Sequence, residues 1–291
     1  MKILVLGSNG QLGSDLKTLA LDYPEITLIP WTRSHCDVEN LGSISEALSK
    51  IDFEVLINCT SYHKVDEVEF RAEKAMTINA HAVKILAEIC QAKGARFLHI
   101  TTDYVFGGQS KRSPLTEEDR TAPVNVYGAS KLLGESLAQV HCKETIIFRV
   151  ASLFGIHGSN GKGSNFTNTI LRLAKERPEV KVVNDQIMSP TSTHDLAQMI
   201  FKFLELEGAP GIYHAVNTGE VSWYTFAKAA LEFAGISTPI SGIPSSEYPL
   251  PALRPKYSAL SNEKLTKVIG EIPHWKESLK HYIRALSGRP A

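Results

Sequence analysis

The first half of the chain alternates short apolar runs with amphipathic segments. The apolar runs predict buried strands at residues 3–6, 26–31, 54–58, 96–100 and 145–150. Apolar residues at helical spacing predict helices over 41–48 and 72–93, and another through the Y-G-A-S-K segment at 127–131. Strands that alternate with helices favour a parallel sheet with helices on both faces. We therefore expect an α/β fold built on a doubly wound, Rossmann-like parallel sheet.

The pattern loosens after residue 151. Helices are predicted over 164–177, 193–206 and 222–234, and strands over 180–183 and 211–215. The proline-bearing segment 240–255 is predicted to be irregular, followed by two short helices. We expect residues 1–151 to form a dinucleotide-binding core whose sheet is completed within 178–217. Residues 152–177 and 218–291 are then expected to form a smaller, mixed, substrate-binding lobe.

Composition narrows the class of protein. The chain has 291 residues, 43% of them hydrophobic, with 31 basic and 31 acidic side chains. This balance gives no electrostatic reason to expect nucleic acid or a membrane as a partner. There is no apolar run long enough for a spanning helix, and the apolar start is too short for a signal peptide. Four scattered cysteines indicate reduced thiols rather than a metal site. A cytoplasmic protein is expected.

A glycine turn follows the first strand and precedes a helix, as a dinucleotide fingerprint requires. Gly7 permits the tight turn, Gly10 lets the backbone approach a pyrophosphate, and Gly13 allows close packing of the helix. The spacing is G-x-x-G-x-x-G, and similar turns also occur without ligands. The other residues of the turn that are predicted to contact the cofactor are Asn9, Gln11 and Leu12.

The second strand ends in T-R-S, where a site specific for NAD often carries an acidic residue. Arg33 and Ser34 could instead hold a 2′-phosphate. This pattern favours NADPH as the cofactor, with NADH as the alternative. Arg33 on a solvated loop is the plainer interpretation.

Tyr127 and Lys131 share one helical face, one turn apart. A nearby ammonium eases ionisation of a phenol, which suits carbonyl reduction or alcohol oxidation. Spacing alone decides little, because Tyr224 and Lys228 repeat it. Only the first pair follows the hydroxyl-rich outlet T-T-D-Y of the fourth strand, at the sheet edge where ligands bind. His99, by contrast, is expected to be buried with a satisfied nitrogen.

Several further stretches resemble the extended short-chain dehydrogenase/reductases and, within them, the dTDP-4-dehydrorhamnose reductase family. T-T-D-Y-V-F, D-Q-x-x-x-P-T and R-P-x-x-S-x-L together are much more specific than the glycine turn. The matching stretches, which run nearly end to end, include residues 58–69, 99–108, 123–135, 184–192 and 253–260.

The resemblance implies a catalytic trio of Thr102, Tyr127 and Lys131. Tyr127 would donate a proton to the 4-keto oxygen of a nucleotide-linked sugar, and Thr102 would hydrogen-bond that oxygen. Lys131 would lower the pKa of Tyr127 and bind the nicotinamide ribose. The implied cofactor contacts also include Asp37, Val38, Ser61, Tyr62 and His63. The implied substrate contacts are Thr102, Asp103, Tyr104, Ser152, Asn165 and Arg254.

Two departures from the family pattern stand out. Ser152 occupies the position of a family tryptophan that packs on the sugar. Some members carry Mg²⁺ between subunits on glutamates, but the corresponding residues here are Asp15 and His194, and an imidazole is a poor magnesium ligand. We therefore predict no required metal. Asp66 is expected to cap the long helix, and the glycine-rich stretch 159–164 to form a loop near the substrate entrance.

The resemblance implies NADPH-dependent reduction of a 4-keto-6-deoxysugar nucleotide, with dTDP-4-dehydro-L-rhamnose as the expected substrate and dTDP-L-rhamnose as the product. One alternative is a non-catalytic dinucleotide-binding subunit, similar to the regulatory beta subunit of methionine adenosyltransferase. Another is an epimerase or dehydratase of the extended family that retains its NAD. The sequence leaves the oligomeric state open, with a homodimer as one option.

Overall fold

The computed structural model describes residues 1–157 and 165–287, which place a central parallel sheet between helices. The stretch 158–164, with the predicted loop 159–164, lies outside the described residues. The first part of the chain supplies these elements in order: β1 (Lys2–Leu6), α1 (Gln11–Leu19), β2 (Thr27–Trp31), α2 (Leu41–Ser49), β3 (Val55–Asn58), α3 (Val65–Val68), α4 (Ala72–Met76), α5 (Ala82–Lys93), β4 (Arg96–Thr102), α6 (Val126–His141) and β5 (Thr145–Val150).

The second part contributes shorter strands and longer helices. Its elements are β6 (Leu153–Phe154), α7 (Phe166–Glu176), β7 (Val180–Val183), β8 (Ile187–Met188), β9 (Thr191–Ser192), α8 (Thr193–Glu205), β10 (Gly211–His214), β11 (Val221–Ser222), α9 (Trp223–Ala234), β12 (Ile240–Ile243), α10 (Glu263–Ile269) and α11 (Trp275–Leu286).

The main sheet has six strands in the order β10-β5-β4-β3-β1-β2. Every pairing in it is parallel, so the carboxyl ends of the strands share one edge. The chain moves outward from β1 to β2 and then returns to place β3 on the other side of β1. This reversal makes the β1–β3 boundary the topological switch point, where ligands bind in doubly wound sheets. The α/β, Rossmann-like fold is confirmed.

Successive strand residues point to opposite faces of the sheet, and each face has its own core. Ile3 and Val5 pack with α1 and α8, where Leu16 and Ile200 are fully buried. Leu4 and Leu6 pack on the other face with α2, α5 and α6. Each such side chain contributes about 1.5–3 kcal/mol when it leaves water. The two cores therefore fix the positions of the carboxyl ends of the strands and of the residues that follow them.

The sequence predicted that the main sheet is completed within residues 178–217, and one strand there joins it. Within 178–217, only Gly211–His214 joins the main sheet, beside β5. Val180–Val183 pairs instead with β12, inside the segment 240–255 that was predicted to be irregular. That part of the prediction was wrong, because β12 begins before the first proline of the segment and needs only four residues. The proposed division into core and substrate-binding lobe remains a prediction.

The long helix predicted over 72–93 is interrupted by a π-helical turn, Thr77–His81, between α4 and α5. Such turns are often found at functional sites. Gly94 ends α5 with φ 66°, a left-handed conformation that glycine adopts without strain. Within the described residues, no helix combines the length and apolar character needed to cross a membrane.

Candidate active site

A cavity of about 440 Å³ opens at the switch point, within the size range of small-molecule sites. Its lining joins the outlets of β1, β3, β4 and β5 to residues of the second part of the chain. Predicted site residues that line it are Gly7, Gly10, Gln11, Leu12, Gly13, Ser61, His63, Thr102, Asp103, Tyr104, Tyr127, Lys131, Ser152, Asn165 and Arg254. Five predicted cofactor contacts lie outside this lining, namely Asn9, Arg33, Asp37, Val38 and Tyr62.

The glycine turn has the shape that a phosphate-binding turn needs. Gly7 has φ 80°, and a side chain there would press on the Cys59 carbonyl carbon at 3.2 Å. A Cβ on Gly13 would lie 2.5 Å from the Gly7 carbonyl oxygen, so only glycine lets α1 start this close to β1. Among the residues that the structure describes, no side chain caps the start of α1. Its first amide groups, at the positive end of the helix, suit a dinucleotide pyrophosphate.

Arg33 belongs to a charged cluster near the end of β2. Its guanidinium lies 3.0 Å from Asp37 and 2.9 Å from Glu39. Lys74 approaches Glu39 at 2.8 Å from the other side. The arginine is 70% exposed and is oriented by these carboxylates. The two cations, Arg33 and Lys74, are thus balanced by the two carboxylates, Asp37 and Glu39.

Tyr127 lies in the first turn of α6, next to the end of β4. The Asn125 side chain accepts a hydrogen bond from the Gly128 amide at 2.8 Å and so caps the helix. A side chain at Gly128 would overlap the Tyr104 carbonyl group. Glycine in Y-G-A-S-K therefore permits α6 to approach β4 closely enough to bring Tyr127 and Thr102 into the same cavity. The tyrosine ring also makes an edge contact with the ring of Tyr104, at 5.8 Å between centroids.

The pKa values in the cavity follow from burial. Burial raises the pKa of Tyr127 to about 12, while the Thr102 and Ser61 side chains act in the opposite direction. Burial also raises the pKa of Asp103 to about 7, although Ser258 and Thr102 donate hydrogen bonds to its carboxylate. The phenol is thus a proton donor in the resting protein, and Asp103 titrates near neutral pH.

Lys131 is almost fully buried and is held from the sheet side. Its Nζ donates to the Ile100 carbonyl at 2.7 Å and lies 3.3 Å from His99 Nε2. Burial lowers the pKa of Lys131 to about 8, against the charges of Glu135 and Cys59, which raise it. His99 is buried with both nitrogens in contact, as the sequence predicted.

Sequence reasoning missed Asn79, a buried residue of the π-helical turn. Its side chain accepts from the Tyr62 amide at 2.8 Å and donates to the Tyr62 carbonyl and to Ser130 Oγ. It therefore ties the outlet of β3 to α6, beside Lys131. Nothing in the local pattern marks it, because the contact depends on the shift in register that the π-turn creates.

The other side of the cavity comes from the second part of the chain. Ser152 adopts φ 45°, which is uncommon for a residue other than glycine. Trp223 also lines the cavity, and the centroid of its ring lies 4.4 Å from that of Phe166. Arg254 pairs with Asp66 at 2.8 Å, so Asp66 anchors this arginine rather than capping the long helix. An aromatic pair thus shares the cavity with Ser152.

Within residues 1–157 and 165–287, no group of three or more His, Cys, Asp and Glu side chains is arranged to hold a metal ion. Asp15 accepts a hydrogen bond from the Thr193 hydroxyl, and burial raises its pKa. That a metal is not required remains a prediction.

The whole chain can be compared with known proteins. It matches the family model described as the RmlD substrate binding domain over residues 1–287. It is 36% identical over 286 residues to the spore coat polysaccharide biosynthesis protein SpsK of Bacillus subtilis, with 98% of each chain covered. It is also 36% identical over 299 residues to dTDP-4-dehydrorhamnose reductase of Escherichia coli K12, again with 98% of each chain covered.

A solved structure has a similar fold. The dTDP-4-dehydrorhamnose reductase of Bacillus anthracis in complex with NADP has a TM-score of 0.91 and 34% sequence identity, and covers 98% of this chain and 99% of that chain. The family model, the full-length relatives and this fold agree, and the chain belongs to the dTDP-4-dehydrorhamnose reductase family.

Proposed function

We propose that this protein is an NADPH-dependent reductase of a nucleotide-linked 4-keto-6-deoxysugar, with dTDP-4-dehydro-L-rhamnose as substrate and dTDP-L-rhamnose as product. The observation that carries the proposal is the convergence of Thr102, Tyr127 and Lys131 with the glycine turn in one cavity. The names of the relatives support the reaction, and the NADP complex of the B. anthracis protein supports the cofactor.

The chain's own groups fit the two halves of the reaction. When bound, NADPH supplies the hydride that reduces the carbonyl carbon. Tyr127 supplies the proton to the carbonyl oxygen, and its high pKa keeps that proton in place until the oxygen gains charge. The Thr102 hydroxyl now bonds to Asp103 at 3.1 Å and would turn its donor toward the substrate oxygen.

The glycine turn and the start of α1 would hold the cofactor's pyrophosphate, and Lys131 the ribose near the nicotinamide. Arg33 would hold the 2′-phosphate of NADPH, supported by Asp37 and Glu39, which orient its guanidinium. Arg254, anchored by Asp66, would face the diphosphate of the sugar nucleotide. The product, an activated deoxysugar, suits polysaccharide assembly, the process named for the B. subtilis relative.

The test is oxidation of NADPH by purified protein with dTDP-4-dehydro-L-rhamnose, followed by identification of the sugar product. Tyr127→Phe should lose at least about a hundredfold in kcat because general acid catalysis contributes on that scale. Its NADPH affinity should be retained. Tyr224→Phe is the matched control, because this second tyrosine of a Tyr-x-x-x-Lys pair does not line the cavity.

Full activity of Tyr127→Phe would refute the proposed role of the phenol. Absence of turnover with any nucleotide-linked 4-keto sugar, together with copurification of a synthetase, would favour the non-catalytic subunit. NAD retained at one equivalent per chain would favour an epimerase or dehydratase instead.

A further inference from the structure

Asn125 uses both ends of its side-chain amide to join two distant parts of the protein. Its Oδ1 accepts a hydrogen bond from the Gly128 amide at 2.8 Å and so caps α6. Its Nδ2 donates to the Leu253 carbonyl oxygen at 2.7 Å, across 128 positions of sequence. A backbone N–H can only donate and a backbone carbonyl can only accept, so these partners fix the orientation of the amide. The residue is 8% exposed, and water therefore competes little for either contact.

Leu253 lies in a short stretch, residues 252–254, that we call the arginine segment. Arg254 lines the cavity, and its Nη2 donates to Asp66 Oδ2 at 2.8 Å. Asp66 Oδ1 accepts from the Ala252 amide at 3.2 Å, and Arg254 Nη1 donates to the Ala252 carbonyl at 2.9 Å. The guanidinium is thus bonded both to the backbone of its own segment and to the carboxylate that holds that backbone. A displacement of Arg254 therefore carries Leu253 with it.

The start of α6 is held from the same side. The Val126 amide donates to Glu69 Oε1 at 2.8 Å. Glu69 follows Asp66 by three residues, so one short stretch of the chain binds both the arginine segment and α6. Asn125 closes this set of contacts, because it joins the arginine segment to α6 directly. Tyr127 is the residue between the two amides of α6 that these contacts bind.

The amide of Asn125 transmits displacement because it is planar and its oxygen and nitrogen keep a fixed separation. When the arginine segment moves, either the Leu253 contact lengthens or the cap of α6 moves as well. A hydrogen bond weakens steeply once its geometry departs from the preferred range, and a buried amide group without its partner is unfavourable. The arginine segment and the first turn of α6 should therefore shift together.

We infer that Asn125 is a positioning residue that couples the arginine segment to Tyr127, so that the phosphate groups of a nucleotide held at Arg254 favour the placement of the tyrosine beside the sugar. Binding energy from a part of the substrate that does not react is then used to orient the reacting groups. The nucleotide and the reaction rest on the proposed function. The link between the arginine segment and α6 is a property of the folded protein.

The link is tested without a ligand, by amide hydrogen exchange of the full-length protein followed by NMR. Arg254→Met removes the contact with Asp66 and should loosen the arginine segment. Exchange of the Gly128 amide should then become at least about threefold faster, the scale of coupling within one hydrogen-bond network. Amides of β5 report opening of the whole sheet and should change less.

Two substitutions of Asn125 should abolish this response. Asn125→Asp keeps the size and the cap but turns an acceptor toward the Leu253 carbonyl, which cannot donate to it. Asn125→Ser keeps a cap without adding charge, and its side chain is one bond shorter. In either background, Arg254→Met should leave the exchange rate of the Gly128 amide unchanged.

Arg112→Met is the matched control, because this arginine also bonds backbone carbonyls, those of Gln109 and Lys111, but on an exposed loop. It should not alter exchange of the Gly128 amide. An unchanged rate in Arg254→Met, or the same acceleration with and without Asn125, would overturn the inference.

A double-mutant cycle in NADPH oxidation tests the kinetic consequence. Asn125→Ser should lower kcat/KM for the sugar nucleotide by about tenfold through misplacement of Tyr127, with Kd for NADPH unchanged. The same substitution should have a smaller effect in the Arg254→Met background, where the coupling is already lost. Equal factors in the two backgrounds would refute the coupling between nucleotide binding and Tyr127. If no sugar is reduced, the proposed function fails, and hydrogen exchange still decides whether Asn125 links the two segments.

Discussion

Two sides of the cavity are built in different ways. The floor is formed by the ends of two strands of the sheet and by the two helices, α1 and α6, that pack against them. The wall is formed by groups from the second part of the chain. We define the floor as Gly7, Gly13, Thr102, Tyr127 and Lys131, and the wall as Ser152, Phe166, Trp223 and Arg254. The register of the strands and the close backbone contacts at Gly7 and Gly13 fix the floor. The wall depends on contacts between aromatic rings and between charged side chains that are far apart in the sequence.

The difference indicates a division of labour. In the proposed function, the floor carries groups for a cofactor phosphate and for proton transfer, and the glycine positions allow close backbone approaches that tolerate no extra atom. The wall carries side-chain surface, which can change without disturbing the sheet. Ser152, where the resemblance implied a tryptophan, would be such a change. Substitutions in the floor should therefore affect cofactor binding and chemistry, and substitutions in the wall should affect the sugar.

Among the substitutions that compare floor and wall, the largest effect on cofactor binding should come from Gly13→Ala. The added Cβ would lie 2.5 Å from the Gly7 carbonyl oxygen and 2.6 Å from Ser8 Cα, so α1 must move away from the turn. Overpacking of this kind costs about 1–3 kcal/mol. NADPH affinity, measured by fluorescence titration, should fall at least about tenfold, with a lower melting temperature.

Gly42→Ala is the matched control for this change. It also lies on a helix, but its added Cβ would meet nothing closer than the Asn40 side chain at 3.7 Å. This variant should bind NADPH normally and be as stable as the wild type or more so, because alanine favours helix. If both variants bound NADPH equally well, the close backbone contact at Gly13 would not be needed for cofactor binding.

Asp103 links the floor to the second part of the chain, because it follows Thr102 and its carboxylate accepts a hydrogen bond from Ser258. Its folded-state pKa of about 7 exceeds the unfolded value, so the protein loses stability as pH rises from about 4 to about 7, and the loss levels off above that. Asp103→Asn cannot ionise. Its free energy of unfolding should fall less than that of the wild type between about pH 5 and pH 8, by roughly 2 kcal/mol.

Urea unfolding at several pH values would measure the difference. Asp22→Asn, which removes an exposed carboxylate, serves as the control and should keep the wild-type dependence. Parallel pH profiles for Asp103→Asn and the wild type would show that Asp103 is not the titrating group.

Trp223→Leu should have a smaller effect, confined to the sugar. An aromatic contact contributes about 0.5–1.5 kcal/mol beyond its buried area, so KM for the sugar nucleotide should rise by about fivefold. KM for NADPH should stay unchanged. Trp275→Leu is the control, since Trp275 also begins a helix and packs on Phe226 but does not line the cavity. If KM for the sugar nucleotide rose equally in both variants, Trp223 would act through the stability of the protein and not through contact with the sugar.

The smallest effect is expected at Arg33, which lies outside both sides of the cavity. Arg33→Ala should weaken NADPH more than NADH, by about three- to fivefold, because exposed ion pairs contribute at most about 1 kcal/mol. Isothermal titration with each cofactor gives the ratio. Equal losses for the two cofactors would reject Arg33 as the 2′-phosphate contact.

The apolar pattern predicted the strands and the glycine turn of the floor, whereas the expected role of Thr102 came from the family resemblance. The strand predicted over 145–150 was confirmed. The wall was harder, since Trp223 and Phe166 meet only after their helices pack. Asn79 could not be found, because a π-turn changes which residues face inward. The individual roles of the site residues, a homodimer and a cytoplasmic location remain predictions.

The hydrogen bond from Ser258 to Asp103 spans 155 residues of sequence. During synthesis, Thr102 and Asp103 leave the ribosome long before the residue that fixes the carboxylate. Once α8 and β10 have emerged, the glycine turn and all six strands of the sheet can form while Ser258 is still missing. Activity should therefore appear only after the chain is nearly complete, and shortened products that retain the nucleotide-binding half should bind the cofactor without reducing sugar.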